Sequence, residues 1–136
     1  MGFEIYKRQR APATTDPSIT IQKRGTLSLN VAAFTALDSP DAVELLYDRD
    51  HRLMALRKVD PGAAHAYQVR ALGRGAVNST WLISGMAFTA HYGIPTEVAR
   101  RWIGRVEDGM LILDLATPGA EVTAGQRRKP NEALTN

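Results

Sequence analysis

The chain has 136 residues, 44% of them hydrophobic and 23% charged, with a formal net charge of +3. That length suits one domain with a real core rather than two large ones, and no apolar run approaches the ~18 residues of a membrane-spanning helix. The absence of cysteine excludes disulfides, thiol catalysis and cysteine-ligated zinc.

The opening MGFEIYKRQR has no apolar stretch followed by a cleavage site, so it does not read as a signal peptide, and a cytoplasmic location is expected. Thirteen arginines stand against four lysines, and alanine is abundant, both habits of high-GC bacterial genomes. Charge is uneven: residues 1–30 carry Lys7, Arg8, Arg10, Lys23 and Arg24 against two acids, whereas residues 31–60 are net acidic.

Residues 3–7 alternate apolar and charged side chains, as an edge strand or ordered arm would, and residues 8–17 hold two prolines of a linker. Residues 18–22 form a strand with Ile19 and Ile21 on one face, and Lys23-Arg24-Gly25 turns the chain into a second strand over residues 26–29. Asn30 then suits a helix N-cap, because its side-chain oxygen accepts an amide of the first turn. Val31, Phe34 and Leu37 share one face of a two-turn helix that Asp38-Ser39-Pro40 ends. Val43, Leu45 and Tyr47 alternate on a strand. Arg49-Asp50-His51-Arg52 is a polar turn, and residues 53–57 return as the second arm of a hairpin.

The plan recurs after the Asp60-Pro61-Gly62 turn. Tyr67, Val69 and Ala71 alternate where Ile19 and Ile21 did before, and Gly73-Arg74-Gly75 makes a turn. Thr80-Trp81-Leu82-Ile83 aligns with residues 26–29, and Ser84 aligns with Asn30 as a cap. Ala87-Phe88-Thr89-Ala90 is identical to Ala33-Phe34-Thr35-Ala36. Residues 92–95 are an insertion, and Pro95 also suits the first position of a second short helix over residues 95–100. Residues 101–106 and 110–115 form the second hairpin, turning at Asp108-Gly109. Beyond residue 117, prolines, glycines and Arg127-Arg128-Lys129 read as a disordered tail. The expected organisation is an arm and linker over residues 1–16, one unit over 17–60, a related unit over 61–117 and a tail over 118–136. The fold class is mainly β or α+β: two tandem strand-helix-hairpin units forming one pseudo-symmetric small barrel or pair of sheets. Phe34 and Phe88 are expected as equivalent core residues across the pseudo-two-fold axis.

Residues 25–58, with a glycine opening a strand, a short helix and an acidic turn between two apolar strands, resemble the AbrB-type swapped-hairpin domain of bacterial transition-state regulators and antitoxins. The tandem arrangement is similar to MraZ-like proteins. The resemblance implies a β-rich dimeric core that binds DNA through arginines and regulates transcription. The family has proline where Asn30 stands and a basic residue where Phe34 stands, so its DNA-contacting arginines do not transfer by position. A second resemblance, to Whirly-type single-stranded-DNA-binding factors, rests on repeated strand-plus-helix units and a basic arm.

Two basic groups are candidates for nucleic acid. Lys7, Arg8, Arg10, Lys23 and Arg24 form the most basic segment, and an arginine fork suits phosphate. Arg100, Arg101 and Arg105 flank Trp102, as residues that combine phosphate contact with base stacking do. The competing reading makes these a solubilising arm and the solvated face of a core tryptophan. His51, His65 and His91 lack metal-ligand spacing, so no metal is expected. Ser84 and His91 have no nucleophile elbow or oxyanion loop, Asp48 and Asp50 are turn formers, and Gly73-Arg74-Gly75 lacks the pattern of a phosphate-cradling loop. No catalytic residue, cofactor, small-molecule ligand or membrane partner is expected. The reading is a non-enzymatic bacterial DNA-binding regulator or architectural factor, acting as a homo-oligomer. Its alternatives are a protein–protein or self-assembly module and a single-stranded-DNA-binding Whirly-type factor.

Overall fold

A computed structural model describes residues 16–72 and 80–122. The expected N-terminal strand, the Gly73-Arg74-Gly75 turn and the basic trio at residues 127–129 lie outside the described residues. The described chain is mainly β: eleven strands in two antiparallel sheets, with two short helices. Among the described residues, no helix is long and apolar enough to cross a membrane.

In chain order the elements are β1 (Ser18–Ile21), a single 3-10 turn (Lys23–Gly25), β2 (Thr26–Leu29), α1 (Val31–Ala36), β3 (Ala42–Asp48) and β4 (Leu53–Lys58). There follow β5 (Tyr67–Gln68), β6 (Arg70–Leu72), β7 (Thr80–Ser84), α2 (Met86–His91), β8 (Arg100–Ile103), β9 (Arg105–Glu107), β10 (Met110–Asp114) and β11 (Ala120–Glu121). One sheet has the order β11-β8-β1-β2-β7-β6 and the other β5-β3-β4-β10-β9. Neither is closed on itself, so of the two arrangements left open by the sequence the chain adopts a pair of sheets.

Period-two alternation decides which residues meet between the sheets. Ile19, Ile21, Leu27, Leu29 and Ile83 from the six-stranded sheet join Val43, Met54, Leu56, Leu111 and Leu113 from the five-stranded one in a single buried cluster. Ala33, Leu37, Phe88, Ile94 and Leu115 close it from the helices and loops. Burying a leucine or isoleucine this completely contributes about 1.5–3 kcal/mol each.

Asn30 caps α1 as its residue type predicts. Its Oδ1 accepts from the Ala33 amide at 2.8 Å and from the Ser18 amide at 3.0 Å, and its Nδ2 donates to the Asp16 carbonyl at 2.9 Å. Ala33 within α1 and Leu37 at its C-cap are buried, whereas Val31 is 43% exposed. Phe34 is half-buried and stacks on Trp81 at 3.9 Å, while Phe88 lies in the core against Tyr47 and Tyr92. The expected equivalence of the two phenylalanines in packing is therefore not what forms.

Four further expectations change. Ser84 does not cap α2. It ends β7, and Gly85 takes the cap position without a side-chain bond. Residues 95–100 form no helix; the chain bends at Glu97 and Val98 and enters β8 at Arg100. The expected hairpin arm over residues 101–106 is split at Gly104: Arg100–Ile103 pairs with β1, and Arg105–Glu107 pairs with β10 in the other sheet. A Cβ at Gly104 would sit 2.8 Å from Leu111 Cδ1 and 3.1 Å from the Ile112 carbonyl, so the crossing needs glycine. A second crossing occurs at Val69, between β5 in one sheet and β6 in the other. The chain also continues past residue 117, where the tail was expected to begin. Gly119 is buried and β11 pairs with β8.

Candidate nucleic-acid interface

The turn after β1 places the first basic pair. The Gln22 amide donates to the Thr26 carbonyl at 2.8 Å and the Gly25 amide to the Gln22 carbonyl at 2.9 Å, which reverses the chain within three residues. Closing it so tightly puts Arg24 at φ 74° and Gly25 at φ 94°. The left-handed region costs a non-glycine residue roughly 1–2 kcal/mol. Gly25 is buried against α2, where an added Cβ would lie 2.6 Å from Thr89 Oγ1 and 2.8 Å from Met86 Cα. Its neighbours Lys23 and Arg24 are left exposed.

The pairing of β1 with β8 supplies the second pair. Ile21 faces Arg100 and Thr20 faces Arg101, so the Lys23-Arg24 turn follows directly beside the start of β8. The two arginines then diverge, as successive strand residues must. Arg100 shares the Trp102 side, is half-buried, donates to the Gly119 carbonyl at 3.0 Å and sits 3.5 Å from Glu121. It holds β11 in place and has little left for a ligand. Arg101 is exposed on the opposite side, and none of the ion pairs among the described residues involves it, Lys23 or Arg24.

Arg105 is separated from this group. It lies in the other sheet and pairs with Glu107 at 2.7 Å. Lys7, Arg8 and Arg10 lie outside the described residues. The structure thus places Lys23, Arg24 and Arg101 towards one end of the β1–β8 pair, commits Arg100 to the fold and sets Arg105 apart.

Arg70 was missed in the sequence. The registers line up Arg101, Thr20, Ser28, Leu82 and Arg70 in one row across five strands, on the face opposite the core. Two exposed arginines therefore bracket a row containing two hydroxyls, about 19 Å apart at the usual strand spacing. The signal was present: if Tyr67, Val69 and Ala71 share one side, Arg70 takes the other.

Away from this face, Asp48 and His51 hold each other across the β3–β4 turn at 2.9 Å. The hydrogen bond to His51 lowers the Asp48 pKa, and the same bond raises that of His51. No group of three or more His, Asp or Glu side chains among the described residues could hold a metal ion. Comparison of the chain with known proteins finds no matching family model, no matching curated protein and no matching solved structure.

Proposed function

We propose that the protein binds nucleic acid without catalysing a reaction, as a DNA-binding regulator or architectural factor. The observation that carries this reading is that Lys23, Arg24 and Arg101, all exposed and outside the ion pairs of the described residues, lie towards the same end of the paired strands β1 and β8. Such side chains release condensed counterions when they meet phosphates. The outer row ending at Arg70 extends the same charge across the sheet, with Thr20 and Ser28 as further hydrogen-bonding groups.

The strand registers support the tandem, AbrB-like reading of the fold. When residues 26–29 are aligned with 80–83, Ser28 faces its own counterpart Leu82, with Leu27 opposite Ile83 and Leu29 opposite Trp81. In the other sheet Ala55 faces Ile112, Met54 faces Leu113 and Leu56 faces Leu111. Both are registers that a local two-fold axis produces. The crossings at Val69 and Gly104 carry strands from one sheet into the other, as the bent strands of a small barrel would.

The test is fluorescence anisotropy with labelled duplex and single-stranded DNA at two salt concentrations, comparing the native chain with Lys23→Gln/Arg24→Asn/Arg101→Gln. Asn is chosen at position 24 because it tolerates the left-handed backbone. Affinity should fall, and on duplex DNA the slope of log K against log salt should flatten by about 0.9 for each phosphate that is no longer neutralised. Equal affinity and slope in the two proteins would sink this surface. A second reading, self-assembly, has its own observation: β9 is a sheet edge, and Val106 upon it and Ile103 beside it are 52% and 62% exposed. A concentration-dependent mass without DNA binding would favour it.

A further inference from the structure

On the Arg100 and Trp102 side of β8, opposite Arg101, lies a cleft of about 550 Å³, within the range of small-ligand sites. One wall is the segment after β10. The Leu115 amide donates to the Arg52 carbonyl at 2.9 Å, the Trp102 indole N–H to the Thr117 carbonyl at 3.0 Å, and Arg100 to the Gly119 carbonyl at 3.0 Å. Three anchors in five residues make this wall pre-formed, and a pre-formed wall reduces the ordering cost of binding. The other wall is aromatic: the Tyr47 and Tyr92 rings lie 4.6 Å apart, with the Arg49 guanidinium 4.8 Å from the Tyr92 centroid. Buried Ile94 and Leu115 supply an apolar floor.

The charge of the cleft is one-sided. Arg52 and Arg100 line it and no carboxylate does. Glu121 answers Arg100, whereas Arg52 is exposed and joins none of the ion pairs among the described residues. Arg52 lines the cleft from the end of the β3–β4 turn, where its backbone has φ 58°. An arginine fork with no carboxylate partner, over aromatic and apolar walls, matches an anionic group attached to a flat ring.

We propose that this cleft binds a small anion with a planar aromatic body, of the size of a mononucleotide or an aryl carboxylate, with its charge on Arg52 and its ring between Tyr92 and Trp102. The site is separate from Lys23, Arg24 and Arg101, so it stands or falls independently of the DNA-binding surface.

The experiment is an NMR titration of the full chain, following the Trp102 indole N–H, assigned with Trp81→Phe. The probes are AMP, GMP, CMP, UMP and salicylate, with adenosine, inorganic phosphate and a short single-stranded oligonucleotide as controls. The expected result is a saturable shift with at least one nucleotide or with salicylate, and the responding probe identifies the source. Arg52→Gln, which keeps the backbone demand of the turn, should weaken that binding about tenfold or more, as removing a charge-assisted hydrogen bond does. Ala116→Phe, at an exposed position of the wall, should block it, and neither change should alter duplex DNA binding. The proposal is overturned if no probe saturates by about 10 mM, an affinity below any meaningful site. It is equally overturned if phosphate alone reproduces the shift, if only the oligonucleotide binds, or if both variants bind as the native chain does.

Discussion

Asn30 offers the sharpest test of how the fold is locked, because one side chain serves two elements. Its Oδ1 accepts from Ala33 at the start of α1 and from Ser18 at the start of β1, and its Nδ2 donates to Asp16. Asn30→Ala removes an N-cap, which costs about 1 kcal/mol. It also strands the amide of Ser18, a residue only 5% exposed, and an unsatisfied buried donor costs roughly 1–3 kcal/mol. The bond to Asp16 is exposed and adds little. The total is about 2–4 kcal/mol, which lowers Tm by roughly 7–14 °C for a chain of this length. Calorimetry and urea titration would measure it. Asn30→Asp separates the parts: it keeps the acceptor, loses the donor and turns a carboxylate towards the Asp16 carbonyl, so it should fall between native and alanine. A loss under about 0.5 kcal/mol for alanine, the scale of an ordinary surface substitution, would refute the reasoning. So would an aspartate variant as unstable as the alanine one.

Gly25→Ala should destabilise by about 3 kcal/mol or more, because it combines a positive φ with a collision against backbone, and Thr89→Ala should rescue little since Met86 Cα remains in the way. In an NMR titration, Asp48→Asn should bring the raised His51 pKa back towards about 6.5, the ordinary value for histidine. The sign for stability follows from both partners. The His51 contribution is full below its unfolded pKa and is lost as pH rises through the raised folded value. The Asp48 contribution is present above the ordinary carboxylate pKa and is lost as pH falls through its lowered value. The pair therefore stabilises in mildly acidic solution, and weakly, because both groups are exposed to solvent.

Elements governed by local chemistry were legible in the sequence. Alternation located β1 to β3, the polar turn after β3 announced β4, Asn30 announced α1, and Asp108-Gly109 announced a tight hairpin whose central residues have φ 51° and 75°. What was not legible depended on partners distant in the chain. The run through Arg101 to Val106 reads as one arm, and only the approach of Leu111 and the Ile112 carbonyl shows how little room a side chain would have at Gly104, where the strand divides between the sheets. Ser84 looks like a cap, yet the chain places Gly85 there, where a Cβ would sit 2.7 Å from the Gly25 carbonyl. Arg100 looks equivalent to Arg101 until Gly119 and Glu121 arrive to bind it. The cleft was invisible for the same reason: its residues come from four separate stretches.

The pairing pattern also decides how the chain can unfold. In the six-stranded sheet β1 and β2, from residues 17–60, lie between β8 and β7, from residues 61–117. In the five-stranded sheet β3 and β4, again from the first stretch, lie between β5 and β10 from the second. Neither stretch owns a sheet, so separating them breaks β1·β8, β2·β7, β3·β5 and β4·β10 together and exposes Leu27, Leu56, Ile83 and Leu111 at once. Independent opening of one half would leave the other without its core and with four new unpaired edges, two in each sheet. Native-state hydrogen exchange should therefore give the amides of Leu27 and Leu56 the same opening free energy, and the same urea dependence, as those of Ile83 and Leu111. A gap of more than about 1 kcal/mol between the two halves would mean that one of them opens alone, and the interleaved pairing would not be what holds the domain together.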